Sequence, residues 1–561
     1  MNATRGAALV KKPRSFLATA RRLLGIETFR PGQEPALEAL FEGHDVLAVL
    51  PTGSGKSAIY QIAASLIPGP TVVVSPLIAL QRDQAERLQD EARGGAAVVN
   101  SSVASAKREA AFEGLEQEDL EFIFLAPEQL HRPDVLEHLI EAKPSLFVVD
   151  EAHCISEWGH DFRPEYLRLA ATIEALGHPR VLALTATASL RVREEILERL
   201  NMRDPKVIAG EMDRPNIWLG VRMARSAREK RRRLLEAVEK AEKPGIVYAA
   251  SRRQVEEIAD ELEDRGLSVR RYHGGMNKGE REAAQTDFMG SAQSGVQVMV
   301  ATSAFGMGID KPDVRFVIHN DVTPSLDAYY QQVGRAGRDG EPARAILFFR
   351  REDLGLHKFF AASGHLRRRD VERFAEAVAE RSELDERELR ERTGLSHSRL
   401  MKATAELEDA GVVFQSAPGV IRSAVRRLDP ASAADAVIEH EEQHHQHLLD
   451  RLERVRVYGE LRDCRRQYLL EYFGENCPPC GRCDNCDHGL PQLGSGTVEQ
   501  PFRVKSRVIH DKFGKGVVMG YRGNQMTVVF DEAGEKMLDA AFAVERGLLR
   551  SANGSARSSR T

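Results

Sequence analysis

The chain has 561 residues, 42% of them hydrophobic, which is enough for roughly three to five domains with packed cores. Its net charge of −5 excludes an overall basic field, so any surface that binds nucleic acid must be local. No apolar run reaches the ~18 residues of a membrane-spanning helix. The basic start at 1–14 lacks the apolar core of a secretory signal and predicts a disordered tail.

Apolar strands alternate with helical stretches from about residue 15 to 208. This rhythm predicts a parallel sheet with helices on both faces, whose ligand site lies at the carboxyl ends of the strands. The predicted strands are 46–50, 71–75, 122–125, 146–149 and 181–184.

A glycine-rich turn follows the first predicted strand and ends in Lys56 and Ser57. Such a turn can wrap phosphates with backbone N–H groups, while the lysine adds positive charge and the serine hydroxyl binds Mg²⁺. Leu50 stands where the commonest pattern has its first glycine. The turn comprises Thr52, Gly53, Ser54, Gly55, Lys56 and Ser57.

An acidic pair, Asp150 and Glu151, follows the predicted strand 146–149. At the end of a parallel strand, such a pair supplies a carboxylate for a metal and a base for water. Together with the glycine-rich turn, it predicts hydrolysis of a nucleoside triphosphate.

A second alternation of strands and helices occupies 209–355, with strands predicted at 245–248, 269–272, 296–301, 316–319 and 346–349. The chain is therefore predicted to contain two α/β domains in tandem. A later glycine-rich run holds Gln331, Arg335 and Arg338, and arginines at this spacing can reach across a cleft to a γ-phosphate.

The remaining chain changes character, and five segments are predicted there. They are a winged-helix-like domain at 366–428, a helical zinc-binding module at 432–488, a linker at 489–501, a small β-rich module at 502–549 and a disordered tail at 550–561. One helix of this winged-helix-like domain begins with the basic residues His397, Arg399 and Lys402, and a basic amino end suits a helix that enters a DNA groove. A packing or protein-docking role is the alternative.

Five of the six cysteines lie between 464 and 486, which indicates metal binding rather than disulfides in a chain without a secretory signal. Four thiolates, Cys464, Cys480, Cys483 and Cys486, can close a tetrahedral structural zinc site. Cys477 is a fifth cysteine that could replace one ligand or stay free.

These motifs resemble the RecQ family of superfamily 2 DNA helicases over about 15–360 and 450–488. The most specific run is 150–166, DEAHCISEWGHDFRPEY, which is similar to the family's aromatic-rich loop. The family pattern places its winged helix after the zinc module, whereas here it precedes the module. The run 508–518 resembles the small Tudor-like β-barrel of UvrD/PcrA-type helicases. The implied fold is two tandem RecA-like parallel-sheet motor domains, followed by the winged helix, the zinc module and this barrel.

The resemblance implies a role for each candidate residue. At the nucleotide, Gln33 would read adenine with Arg30 nearby, Ser57 and Asp150 would hold Mg²⁺, and Glu151 would activate water. Arg338 is the first choice for the arginine finger, with Arg335 and Gln331 supporting it. Asp310, which ends the run 301–310, is assigned to the nucleotide site. The residues that would couple DNA binding to hydrolysis are His153, Trp158 and Phe162.

The implied function is ATP-dependent 3′→5′ unwinding of DNA in repair, recombination and replication, with ATP, Mg²⁺ and Zn²⁺ as cofactors. The implied partners are single-stranded and branched DNA, and a protein such as RNA polymerase that docks on the terminal barrel. The implied location is the cytoplasm of a bacterium, on the chromosome. Two alternatives stay open: an RNA helicase, because Asp-Glu-Ala-His also names an RNA-acting group, and a DNA-binding scaffold with an inactive motor.

Overall fold

The computed structural model divides the chain into two compact units. The first, the motor unit, holds residues up to 461 together with 465–478, and the second, the carboxyl-terminal unit, holds 462–464 and the residues from 479 onward. The described residues are 16–76, 81, 84–85, 88, 95–100, 103, 105–117, 119–156, 163–290, 295–306, 311–355, 357, 366–381, 383–417, 420–425, 428–489, 501–502, 506–522, 525–531 and 533–551.

The first motor domain is built on a parallel sheet of seven described strands in the order β3-β4-β2-β5-β6-β1-β7. The strands are β1 Val46–Val49, β2 Thr71–Val74, β3 Ala96–Val99, β4 Phe122–Leu125, β5 Leu146–Val149, β6 Arg180–Thr185 and β7 Lys206–Ala209. Its helices are Phe16–Leu24, Gln33–Phe41, Lys56–Ala64, Ser105–Glu116, Pro133–Ala142, Leu169–Ala175 and Leu190–Arg199. The five predicted strands are confirmed, and β3 and β7 were not predicted.

Helices cover both faces of this sheet, so the central strands β1 and β5 are apolar and buried at every position. Along β1, Val46 and Ala48 enter one core, whereas Leu47 and Val49 enter the core on the opposite face. The order β5-β6-β1 makes these strands neighbours in register. Their carboxyl ends therefore lie side by side, and the loops that follow them form one edge of the sheet.

The second motor domain has a parallel sheet of six described strands in the order β10-β11-β9-β12-β13-β8. The strands are β8 Ile217–Met223, β9 Gly245–Tyr248, β10 Val269–Tyr272, β11 Val298–Ala301, β12 Phe316–His319 and β13 Ala343–Phe349. The helices are Ala227–Lys240, Arg252–Glu263, Lys278–Met289 and Leu326–Val333. The five predicted strands are again present, and the edge strand β8 was not predicted.

A winged-helix-like domain follows, as predicted. Its helices are Arg368–Glu380, Glu386–Thr393 and His397–Asp409, and its sheet has the order β14-β16-β15, with strands Leu384–Asp385, Val420–Ser423 and Val413–Ala417. Phe374 and Leu400 pack in its core with Val437 from the long helix Pro430–Glu460. The helix Arg465–Tyr472 completes the motor unit.

The carboxyl-terminal unit contains a small antiparallel sheet in the order β20-β19-β18-β17-β21. Its strands are β17 Arg507–His510, β18 Gly514–Arg522, β19 Gln525–Phe530, β20 Gly534–Asp539 and β21 Leu549–Ser551, with a short helix at Ala540–Glu545. Val508, Val518 and Val528 are fully buried in its core. Among the described residues, no helix has the length and apolar character to span a membrane.

Candidate active site and zinc centre

The phosphate loop joins β1 to the helix Lys56–Ala64. Gly55 adopts a left-handed conformation, φ 76°, immediately before the helix begins, and this leaves the first N–H groups of the helix open to an anion. Lys56 Nζ donates to the carbonyls of Leu50, at 3.1 Å, and Pro51, at 3.4 Å. Burial lowers the pKa of Lys56, while the carboxylates of Glu151 and Asp150 oppose that shift. The loop is thus a preformed phosphate cradle with its cation folded onto it.

Gln33 is tied to the phosphate loop. Its amide accepts from Arg30 N at 2.9 Å and donates to the carbonyls of Ser54, at 3.2 Å, and Gly55, at 2.9 Å. Arg30 Nη1 donates to the carbonyl of Gly53. The side chain of Gln33 is 2% exposed. Gln33, predicted to read adenine, and the neighbouring Arg30 therefore both hold the loop in this structure.

Asp150 lies at the end of β5, where its carboxylate accepts from Ser75 Oγ at 3.4 Å and from Glu151 N at 3.0 Å. Burial and the neighbouring Glu151 raise the pKa of Asp150 to about 7, although the Lys56 ammonium opposes this. A bound metal cation stabilises the charged form of such a buried carboxyl, so the cation can replace the proton. Ser57 Oγ accepts from Gln84 Nε2 at 3.3 Å. The Ser57 hydroxyl and the Asp150 carboxylate are oxygen ligands of the kind that Mg²⁺ prefers.

The residues after the acidic pair return to it. Tyr166, fully buried, donates its hydroxyl to the carbonyl of Asp150 at 3.1 Å. His153, which is 1% exposed, lies with Nδ1 2.9 Å from Thr185 Oγ1, at the end of β6. Three predicted site residues lie outside the described residues: Trp158, Phe162 and Asp310.

Arg338, from the second motor domain, lies near the phosphate loop. A Cβ added to Gly53 of the phosphate loop would lie 3.7 Å from Arg338 Cδ, so the arginine packs against the loop. Its charge also lowers the pKa of Lys56, after the larger effect of burial. Arg335, by contrast, is 4% exposed and lies beside Tyr248 in the interior of the second domain. Gln331 is half-buried on the helix Leu326–Val333.

Two residues that hold the run after this helix were missed from the sequence. Arg214 donates to the carbonyls of Gly334, Ala336 and Gly337 at 2.8–3.1 Å, and Asn216 Nδ2 donates to that of Gly337 at 2.7 Å. Because their partners are backbone carbonyls, no side-chain pattern in the sequence identifies them.

The four predicted cysteines converge in the carboxyl-terminal unit. Their sulfur atoms all lie within 4.8 Å of one another, and Cys480 Sγ is 4.0 Å from Cys486 Sγ. Tetrahedral zinc with Zn–S bonds of about 2.3 Å places its sulfurs about 3.8 Å apart, so the cluster fits this ion. The backbone N–H of Cys480 donates to Cys464 Sγ at 3.2 Å, as it would to a thiolate. Cys477 does not belong to the cluster.

The basic residues at the start of the helix His397–Asp409 are each paired within the chain. Arg399 lies 3.3 Å from Asp370, Lys402 lies 3.0 Å from Glu441, and His397 contacts Glu386. The charges of Arg399 and Lys402 are therefore partly neutralised, which favours the packing role over the DNA-groove role.

Three family models match the chain in tandem. They are DEAD/DEAH box helicase at 30–196, Helicase conserved C-terminal domain at 229–340 and RecQ zinc-binding at 423–487. The first two matches lie in the two motor domains, and the third includes the four clustered cysteines.

Two curated relatives from Bacillus subtilis (strain 168) align with most of the chain. The probable ATP-dependent DNA helicase RecS is 34% identical over 506 residues, 88% of this chain and 97% of the relative. The ATP-dependent DNA helicase RecQ is 31% identical over 519 residues, 91% of this chain and 73% of the relative. Among solved structures, the DUF1998 helicase MrfA bound to DNA and AMPPNP has a TM-score of 0.52 at 18% identity, covering 76% of this chain and 63% of that one. That likeness concerns the fold alone.

Proposed function

This chain belongs to the RecQ family of ATP-dependent DNA helicases, and from that premise we propose that it moves 3′→5′ along one DNA strand by hydrolysing ATP between its two motor domains. The observation that carries the two-domain ATP site is the position of Arg338, from the second domain, beside the phosphate loop of the first, where a Cβ added to Gly53 would lie 3.7 Å from Arg338 Cδ. The 3′→5′ polarity is taken from the family likeness. A site completed by both domains makes their closure depend on the nucleotide.

In the proposed site each residue has a separate task. Lys56 and the N–H groups that open its helix hold the phosphates, and Ser57 and Asp150 hold the metal. Glu151 orients and deprotonates the attacking water. When bound, Mg²⁺ held by Ser57 and Asp150 would neutralise charge on the γ-phosphate of ATP. The finger Arg338 stabilises the charge that develops in the transition state, and Arg335, Gln331 and Asp310 support the site from the second domain.

Adenine recognition is assigned to Gln33, with Arg30 beside it. The amide of Gln33 donates and accepts, which matches the paired edge of adenine. In the structure the same amide binds the loop carbonyls of Ser54 and Gly55. We assign to Gln33 both the binding of adenine and the support of the loop. When adenine binds, its hydrogen bonds with the Gln33 amide replace those to the carbonyls of Ser54 and Gly55.

Coupling to DNA is assigned to the segment after Glu151. His153 links this segment to Thr185, and Trp158 and Phe162 would meet the DNA strand, since aromatic rings stack on bases without regard to sequence. Single-stranded and branched DNA are the proposed substrates. We place the protein on the chromosome in the cytoplasm.

Strand displacement on matched duplexes tests the proposal. Duplexes with a 3′ DNA tail, a 5′ DNA tail or a 3′ RNA tail differ only in the strand that the motor must enter. We expect ATP-dependent unwinding with the 3′ DNA tail alone. Unwinding from the 5′ tail would overturn the polarity, and equal use of the RNA tail would favour the RNA-helicase alternative.

Site variants test the assignments separately. Lys56→Ala, Glu151→Gln and Arg338→Ala should each lower the DNA-stimulated rate of ATP hydrolysis by about 100-fold or more. Arg232→Met, on an exposed helix face where Arg232 pairs with Glu236, is the control and should leave it unchanged. A DNA-binding scaffold with an inactive motor would show no DNA-stimulated hydrolysis even in the unmodified chain.

A protein partner is assigned to the terminal sheet. Val529 and Met537 are exposed on its outer face, opposite the buried Val528, and an apolar surface of this kind favours protein contact. RNA polymerase is the proposed partner. The double variant Val529→Glu/Met537→Glu should retain unwinding and lose binding to purified RNA polymerase core. Loss of unwinding instead would indicate that the sheet contacts DNA.

A further inference from the structure

The connection between the two motor domains, residues 210–216, contacts the run that carries the finger. This run, the finger loop, comprises residues 334–340 after the helix Leu326–Val333. Arg214, from the connection, donates through Nη1 to the carbonyl of Gly334 at 3.1 Å and through Nη2 to those of Ala336 and Gly337, both at 2.8 Å. One guanidinium thus binds three backbone carbonyls within four residues of the finger loop.

The backbone of the finger loop needs such support. Gly337 has φ 53° and immediately precedes Arg338. A Cβ at this position would lie 2.5 Å from Asn216 Nδ2 and 2.7 Å from the carbonyl of Glu341. The carbonyl of Gly337 accepts from both Arg214 and Asn216. The conformation that directs Arg338 towards the phosphate loop is therefore held by donors from outside the finger loop.

The connection is itself held from the other side by the helix Arg465–Tyr472. Arg466, which is 6% exposed, donates to Asp213 Oδ1 at 2.9 Å and to the carbonyl of Ile217 at 2.6 Å. Glu475 accepts from Met212 N at 2.7 Å. The guanidinium of Arg466 is buried, whereas Asp213 is half-exposed. Breaking these contacts would leave the buried charge of Arg466 unpaired, so Arg466 holds the connection in place. Arg214 therefore projects from a segment fixed at both ends.

We propose that Arg214 is a positioning residue that sets the place of the Arg338 finger at the phosphate loop, and that Arg466 supports it through the domain connection. This rests on the proposed role of Arg338. Arg214 does not touch the phosphate loop in the contacts described, so its effect on hydrolysis passes through the finger. Misplacement of a reacting group by about 1 Å can cost about 100-fold in rate, so a held backbone has a kinetic consequence.

A double-mutant cycle tests the proposal, with kcat and KM for ATP measured at saturating single-stranded DNA. Arg214→Met should lower kcat about 10- to 100-fold and leave KM for ATP within about twofold. Arg214→Lys should recover part of the loss, because an ammonium still donates to carbonyls. In an Arg338→Ala background, Arg214→Met should change kcat by less than about twofold. Arg466→Met should show a smaller loss with the same dependence on Arg338.

The outcomes separate the two proposals. If Arg338→Ala retains its kcat, the finger assignment fails and the positioning role fails with it. If Arg338→Ala loses activity while Arg214→Met does not, or if the two losses multiply in the double variant, only the positioning role is overturned. Thermal unfolding shows whether each variant is folded. If Arg214→Met is not, Arg214→Lys replaces it in the cycle. Arg232→Met is the control arginine of the same domain.

Discussion

His153 Nδ1 lies 2.9 Å from Thr185 Oγ1, and the same nitrogen lies 3.3 Å from the carboxylate of Glu151. Thr185 donates its hydroxyl to the carbonyl of Thr187 at 3.0 Å, so the imidazole is the donor in its bond to Thr185. Burial lowers the pKa of His153 to about 3, which keeps the ring neutral at physiological pH. The histidine thus connects the end of β5 to the end of β6 by hydrogen bonding rather than by charge.

We expect His153→Ala to uncouple hydrolysis from unwinding. The variant removes the link between the acidic pair and Thr185 but leaves Lys56, Asp150 and Glu151 in place. Hydrolysis without DNA should stay within about twofold, while strand displacement per ATP falls about 10-fold or more, as is typical of coupling free energies. His138→Ala, on a half-exposed ring paired with Glu116, is the control. Equal loss of both activities would contradict a coupling role.

The central strands of both motor sheets could be predicted from the sequence because each is a continuous apolar run. β1, Val46–Val49, is buried at all four positions, as are β5 and β9. Edge strands lack this signal. β7 contains Lys206 and is mostly exposed, and β8 includes Gly220 and Arg222. Their pairing depends on a neighbouring strand that the local sequence does not encode.

The candidate site shows the same limit. Side-chain chemistry in short motifs identified the phosphate loop, the acidic pair and the cysteines. The family resemblance ranked Arg338 above Arg335, but the motif alone gives no physical reason for this order, since both arginines lie in one glycine-rich run. The left-handed Gly337 between them separates a buried Arg335 from an Arg338 at the phosphate loop. Arg214 was missed because it recognises backbone carbonyls that only the folded chain brings together.

Gln33→Ala separates adenine recognition from support of the loop. The variant loses the bonds to Ser54 and Gly55 as well as any bond to the base. We expect KM for ATP to rise about 10-fold or more, since losing a bidentate amide costs about 1–3 kcal/mol, and the preference for ATP over GTP to narrow. Initial rates give KM for ATP and for GTP, and the comparison shows whether Gln33 recognises adenine. An equal rise for ATP and GTP would assign Gln33 to the loop alone. Gln443→Ala, on the exposed face of the long helix, is the control.

His319 predicts a pH dependence of stability. The ring is 1% exposed, its Nε2 donates to Gln332 Oε1 at 2.8 Å, and burial lowers its pKa to about 4. The pKa of His319 in the folded protein lies below the unfolded value of about 6.5. The stabilising contribution of the neutral ring to the free energy of unfolding is therefore complete above pH 6.5 and is lost as the pH falls towards 4. The loss is on the order of 3 kcal/mol, about 1.4 kcal/mol per pH unit.

The measurement is the thermal unfolding midpoint between pH 5 and 7.5. His319→Phe keeps a ring between Tyr248 and Tyr329, whose ring centres lie 5.4 and 4.9 Å from that of His319. We expect the variant to show a shallower fall in midpoint below pH 6.5, whatever its midpoint at pH 7.5. His397→Phe, which replaces an exposed histidine, should keep the full slope. An unchanged slope in His319→Phe would show that other titratable groups cause the fall in unfolding midpoint below pH 6.5.

The cysteine cluster predicts one zinc ion per chain and a specific pattern of loss. Burial raises the pKa of the Cys486 thiol to about 12, so without a metal this thiol stays protonated, and zinc must displace its proton. Cys483→Ser removes a fully buried ligand and should abolish zinc retention after dialysis against a chelator, with a lower unfolding midpoint for the carboxyl-terminal unit. Cys477→Ser is the matched control, because Cys477 is outside the cluster, and it should keep the zinc. Atomic absorption measures the zinc content, and loss of zinc from Cys477→Ser as complete as from Cys483→Ser would make Cys477 a ligand and the assigned set wrong.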